Sequence, residues 1–346
     1  MLRALGIEDR VPPRWPLKIR RLGAIEYERY RIEKFTYESY PGMAVPALLY
    51  VPRRAPERGP RGIVSIAGHA YGSGKTSDFL QRRNVNLVLR GCVVLSYDYL
   101  NTGERNTGPN AKKKCPTAVA TITSSAVSPS PAAIRAGWRC WMPSAPSTCC
   151  LVVTKSIGRE SVSPANRAGG TAPTGRGLSI RGSSWCFPVS SVTTFDYWIR
   201  KNRNYDWHQR PFGVRRHAGI GTLLALHAPR PLLVISSKRK NRRPRVPVGG
   251  GRTVLPFGAP HVYGLVGAKS AIAHYESPTA HGYQVDKRKQ LYRWVDRWLQ
   301  PPRSMGDRDL EVKVEPGTAG GRAQETRPRQ PDSPGHLQPL DRLLPG

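Results

Sequence analysis

Apolar and polar positions follow an ordered pattern at both ends of the chain and lose it in the middle. From Tyr27 to Tyr37 they alternate, which predicts a half-buried strand, and Val45 to Val51 (VPALLYV) predicts a second. After a Pro/Arg/Gly turn, GIVSIAGH is a continuous apolar run that ends at Gly68-His69, as a strand buried on both faces would. The loop AYGSGKT leads into a helical stretch from Ser77 to Arg90. Gly91 closes it, and CVVLSYDYL is another buried strand ending at Asp98. Strand, loop, helix and strand make a βαβ unit. The expected fold class is therefore α/β, a three-layer sandwich with a mostly parallel sheet.

Order returns at PVSSVTTFDYWIRKNRNY (188–205), and LLALHAPRPLLVISS (223–237) reads as a short helix, a proline break and a strand. ESPTAHGYQVDKRKQLYRWVDRWL (276–299) sets His281 in a loop ahead of an amphipathic helix. Leu291, Trp294, Val295 and Trp298 recur there at helical spacing and predict one buried face. Between Ala111 and Trp185 no period of 2 or 3.6 persists. Residues 301–346, with Pro-Pro, GTAGG and PRQPDSPG, read as a disordered tail. The expected domain spans 1–300, with 106–187 and 238–253 anomalous.

Composition changes this picture in one respect. The 346 residues carry 55 Lys+Arg against 23 Asp+Glu, a net charge of +32 that suggests nucleic acid. Residues 106–253 hold 24 basic groups and 3 acidic ones, so 21 of the 32 excess charges lie in or beside the patternless stretch. Apart from Lys112 to Lys114, the stretch from Ala111 to Trp185 lacks the basic blocks and interleaved aromatics that contact phosphates and bases. A basic nucleic-acid-binding protein is thus the weaker reading. Five of the six cysteines fall between Cys115 and Cys186, at spacings that fit neither a metal knuckle nor a redox motif. No run approaches the roughly 18 apolar residues of a membrane span. The N-terminal MLRALGIEDRVPPRWPL has no apolar core of the kind a signal peptide needs, which predicts a cytoplasmic location.

Two chemistries compete for the loop at 68–76. GHAYGSGKT approaches a phosphate-binding P-loop, with Gly74, Lys75 and Thr76 in place and Asp98 positioned to imitate a magnesium-holding carboxylate. His69, however, stands where that loop needs its first glycine. The other reading is acyl transfer, in which an HG-type turn lends backbone N–H groups to an oxyanion hole, here those of Ala70 or Tyr71. His281, in a short loop before the last amphipathic helix, stands where such an enzyme keeps its general base. His217, His227, His261 and His274 read as structural or surface residues.

The segments YESYPGMAVPALLYVP, IAGHAYGSGK, GCVVLSYDYLNTGER, PVSSVTTFDYWIRKNRNY, HAPRPLLVIS and ESPTAHGYQVDKRKQLYRW, in this order, resemble bacterial α/β-hydrolases of the acetyl xylan esterase and dienelactone hydrolase type. The resemblance covers roughly 1–106, 187–237 and 254–299. It implies an α/β-hydrolase fold, a Ser-His-Asp triad, a serine acyl-enzyme and no cofactor. The partner it implies is a small-molecule or saccharide ester. His281 matches the base, and Ala70 and Tyr71 match the oxyanion loop.

The pattern then breaks. No GxSxG elbow lies between Asp98 and PVSSV, and Ser161 and Ser163 have neither the flanking glycines nor a strand before them. No carboxylate follows LLVIS; the text there is SKRKNRRPRVPVGG. Asp206 and Glu276 are the available stand-ins, and the spacing favours neither. Nucleophile and acid are thus unassigned. A shifted reading frame accounts for the gap. Read two bases later, degenerate codons for Gly137–Cys150 give an amphipathic helix pattern, and those for Ser163–Thr171 permit Gly-Glu-Ser-Gly-Gly-Gly-Asn. Those for Ser179–Cys186 permit Asp-Pro-Arg-Ile-Lys-Leu-Val-Phe, which runs into PVSSV. As written, the chain is expected to be a poor or inactive esterase.

Overall fold

A computed structural model describes residues 18–40, 43–54, 61–66, 72–98, 102–105, 150–154, 183–189, 216–237, 258–279 and 282–315, with Ala70, Val192, Thr194 and Phe195 singly. Among the described residues nine strands form one sheet, in the spatial order β1-β2-β3-β5-β4-β6-β7-β8-β9. The alternating N-terminal segment folds as an antiparallel meander of β1 (Arg20–Glu26), β2 (Tyr30–Tyr40) and β3 (Met43–Pro52). The predicted βαβ unit follows as β4 (Arg61–Ile66), α1 (Asp78–Leu89) and β5 (Cys92–Tyr97), with β4 and β5 parallel neighbours from Arg61↔Cys92 to Ile66↔Tyr97. Gly91 ends α1 as the pattern predicts, its N–H on the Val88 carbonyl at 2.9 Å.

The second half adds β6 (Cys150–Thr154), β7 (Ser183–Pro188), α2 (Ile220–Ala225), β8 (Leu232–Ser237), α3 (Ala259–Leu265), β9 (Ile272–Ser277) and α4 (Val285–Leu299). Helices cover both faces. On one, Val85, Leu87 and Val88 of α1 and Leu291, Tyr292 and Val295 of α4 pack over Ile63, Val94, Leu233 and Ile235. On the other, Ile220, Leu223 and Leu224 of α2 and Ala259 and Tyr263 of α3 pack over Leu232 and Val234. Burying alternate faces of β8 in two cores explains why LLVISS reads as an unbroken apolar run.

Three expectations are corrected. Strands β2, β4, β5, β7, β8 and β9 share one direction, yet five of the eight strand pairings among the described residues are antiparallel, because β1, β3 and β6 run against them. The stretch expected to be irregular contributes β6 and β7; the run Cys149-Cys150-Leu151-Val152-Val153 was its one strand signal. Finally, residues 301–315, assigned to the tail, are seated against α1 and α4. Asp309 takes a bidentate contact from Arg288 at 2.6–3.1 Å and a hydrogen bond from Tyr292 at 3.2 Å. Among the described residues no helix is long and apolar enough to cross a membrane.

Candidate active site at the carboxyl edge of the sheet

In a sheet with parallel strands, ligand chemistry gathers beyond the strands' carboxyl ends, where loops fan out and backbone groups are free to bind. Here that edge carries the loop after β4, Asp98 after β5, Ser237 at the end of β8, and Ser277 before the His281 loop.

The loop after β4 is held from below. The Ala70 carbonyl accepts the Gly74 N–H at 2.6 Å, closing a turn, and Gly74–Thr76 form a single 3-10 turn leading into α1. Asp98, fully buried, accepts hydrogen bonds from the Lys75 N–H at 2.7 Å and the Glu104 N–H at 3.1 Å. It also pairs with the Lys75 ammonium at 2.7 Å, and that ammonium bonds Glu104 as well. Burial alone would push the Lys75 ammonium down, but Asp98 and then Glu104 outweigh it and hold it above the ordinary lysine value. Two glycines let the backbone come this close. Gly74 (φ +51°) and Gly103 (φ +49°) both pack on the Asp98 carboxylate, and a Cβ on Gly103 would stand 2.5 Å from Asp98 Oδ2.

This geometry removes the P-loop reading. A P-loop lysine must reach a phosphate, whereas Lys75 is 2 % exposed and neutralised by two carboxylates. Thr76 Oγ1 donates to the Ser73 carbonyl at 2.6 Å, where a P-loop needs it on magnesium. The Asp98 oxygens are taken up by Lys75 and the Glu104 N–H, so this aspartate is a structural pin. Among the described residues no group of three His, Cys, Asp or Glu side chains is placed to hold a metal ion.

Of the predicted oxyanion donors, Ala70 is described and half-buried against the apolar cluster that includes Phe35, Tyr37 and Leu80; Tyr71 lies outside the described residues. His281 also lies outside them, as does Asp206. Gly282, which follows His281, is described: its carbonyl accepts from the buried Lys287 ammonium at 2.9 Å, and the same ammonium donates to Ser237 Oγ at 2.7 Å. Where a triad acid should leave β8, the chain thus presents a serine held by a lysine. Asp286, the carboxylate nearest His281 in the chain after it, accepts from Ser277 Oγ at 2.5 Å and Thr279 Oγ1 at 2.9 Å. Partial burial raises its carboxyl, but those two hydroxyls prevail and hold it below the usual aspartate value. It caps the turn that leads to His281. Glu276 sits in β9 opposite Ser236. Of the four histidines read as structural or surface residues, His227 is buried against the Pro231 carbonyl, His274 bonds Ser236 at 2.8 Å, and His217 and His261 are exposed.

The missing elbow motif has a topological counterpart among the described residues. An elbow serine must leave a strand at the same edge as the oxyanion loop. β6 occupies the place beside β4 but runs antiparallel, from Ser65↔Leu151 to Gly62↔Thr154. Its carboxyl end therefore lies beside the start of β4, at the edge opposite Ala70. A chain leaving Thr154 departs from the wrong side.

With that geometry in place, solved structures supply the comparison. Methylesterase BT1017 matches with a TM-score of 0.61 at 19 % identity, over 92 % of this chain and 66 % of its own. A glucuronoyl esterase from Solibacter usitatus matches at 0.49 and 14 %, over 84 % of this chain and 89 % of its own. A candidate acetyl xylan esterase from Bacteroides fragilis NCTC 9343 matches at 0.47 and 14 %, over 79 % and 73 %. No protein-family model matches the chain, and no curated protein does. The first of these likenesses shows that the chain shares the fold of a methylesterase. It spans 66 % of the methylesterase's length. Nothing in the comparisons or among the described residues supports the nucleic-acid reading.

Proposed function

We propose that the chain carries the scaffold of a serine-type carboxylic ester hydrolase acting on a small-molecule or saccharide ester, and that its catalytic set is incomplete as written. The observation that carries the reading is the pinned loop after β4. Lys75, Asp98, Glu104 and Gly103 fix the turn that follows Ala70 and Tyr71, the two residues to which this reading assigns the oxyanion-binding N–H groups. Preorganised donors of this kind are worth about 10²–10³ in rate each.

In the complete enzyme a serine Oγ attacks the ester carbonyl carbon while His281 takes its proton. The oxyanion rests on the Ala70 and Tyr71 N–H groups. Collapse then expels the alcohol with the proton from His281, and water repeats the sequence on the acyl-serine. The shifted frame supplies the missing serine within Gly-Glu-Ser-Gly-Gly-Gly-Asn, and it also explains why β6 is a foreign strand in the elbow's place. The test is hydrolysis of a short-chain aryl ester by the chain as written and by a frame-restored chain. The restored chain should be active, and His281→Ala should lower its kcat by about 10³-fold or more. Activity indifferent to His281→Ala would remove the histidine's assignment, and an inert restored chain would remove the esterase.

A further inference from the structure

Helix α1 is buried on its polar side as well as its apolar one, because residues 303–315 run antiparallel along it. The Arg90 guanidinium donates to the carbonyls of Gly306 at 3.1 Å and Arg308 at 2.8 Å. Asn86 exchanges two hydrogen bonds with the main chain of Leu310, at 3.0 and 2.9 Å. Gln81 does the same with Glu315, at 2.7 and 3.0 Å. The far end is tied to the sheet by a hydrogen bond from the Tyr27 hydroxyl to Glu315. Three side chains on one helix thus grip the strap by its main chain, while Asp309 and the packed Leu310 and Val312 hold it through its own side chains.

Gln81 differs from the other two in what its remaining hydrogen bond reaches. Its Nε2 also donates to the Thr76 carbonyl at 2.7 Å, at the end of the turn that carries Lys75. Both amide hydrogens and the carbonyl oxygen are thus committed, within a side chain 3 % exposed. One carboxamide joins the carboxyl-terminal strap to the loop beneath the oxyanion donors.

We infer that Gln81 is a positioning residue: through it, residues 301–315 set the geometry of the loop after β4. Calling that loop the oxyanion loop rests on the esterase reading; the mechanical coupling does not.

Hydrogen exchange on the full chain tests the coupling without requiring activity. The amides to follow are Gly74, Thr76 and Ser77, bonded to the carbonyls of Ala70, Ser73 and Gly74. Gln81→Ala should speed their exchange about tenfold, the scale of one lost buried hydrogen bond, while β5 amides stay protected. Asn86→Ala should free the strap near Leu310 and move the turn far less. Gln81→Glu adds a signature that generic destabilisation lacks. The ionised carboxyl would face two carbonyl oxygens and open the turn, and protonation at low pH would restore a donor and close it. Should Gln81→Ala fail to fold, this pH profile carries the test. Unchanged exchange at Gly74–Ser77, an equal effect of Asn86→Ala, or a flat pH profile in Gln81→Glu would overturn the inference. An inert frame-restored chain with the coupling intact would instead overturn only the esterase.

Discussion

Asp98→Asn is the most informative single change in the described structure. The carboxylate is fully buried and accepts from three donors: the Lys75 N–H, the Lys75 ammonium and the Glu104 N–H, at 2.7, 2.7 and 3.1 Å. An amide keeps one acceptor oxygen and turns its NH₂ toward donors, orphaning at least one buried N–H at about 1–3 kcal/mol. It also leaves the ammonium of Lys75, 2 % exposed, with only Glu104, whose side chain is 38 % exposed and so largely screened. Breaking a buried pair by removing one partner costs about 3–5 kcal/mol, and the loss here should fall in that range. Urea unfolding at neutral pH, followed by circular dichroism, measures it as a shift in midpoint. The pH dependence has a definite sign. Lys75 is held above its ordinary value of 10.5 in the folded state, so its contribution is complete below that pH and fades as the folded ammonium loses its proton. The gap between parent and variant should therefore hold from neutral pH up to about 10.5 and narrow above it. A loss under about 1 kcal/mol would refute the reasoning, because it would mean that the cluster is solvated like a surface pair.

Two further outcomes follow from buried charge. Arg83 is fully buried, bonded to Ser65 Oγ and stacked 4.5 Å from the centre of the Tyr283 ring, while its Nε and Nη1 have no hydrogen-bond partner. Arg83→Met should stabilise the fold by about 1 kcal/mol or more in the same urea assay; a clear loss would show that the stacking outweighs the desolvation. Asp309→Ala leaves Arg288, 9 % exposed, without its bidentate partner and should cost about 3 kcal/mol. The loss should be accompanied by early proteolysis near 301–315, and an intact strap in that variant would contradict the role assigned to the pair.

How much the sequence revealed follows from what its pattern encodes. The βαβ unit was legible because β4 and β5 are buried on both faces and α1 has clear ends at Ser77 and Gly91. The Lys75–Asp98–Glu104 cluster was not foreseen, since a glycine turn with a lysine looks alike whether the lysine meets a phosphate or a carboxylate. Only the fold brings Gly103 and Glu104 back onto Asp98, although NTGER, so soon after the strand, was the available signal. The strap was hidden for a different reason: its main-chain bonds to Gln81, Asn86 and Arg90 leave almost no trace in its own side chains. The polar residues inside α1 were the legible half of that contact. The acid and the nucleophile stayed unassigned because the sequence offers no elbow motif and no carboxylate just after β8, and among the described residues β6 runs against β4.

The most direct measurement is resequencing of the coding DNA across codons 100–260. The account predicts base errors that, once corrected, place Gly-Glu-Ser-Gly-Gly-Gly between β5 and PVSSV and a carboxylate after β8. A confirmed sequence would contradict it. The chain would then be genuine, its carboxyl edge would lack both nucleophile and acid, and an ester hydrolase would no longer be the reading its site supports.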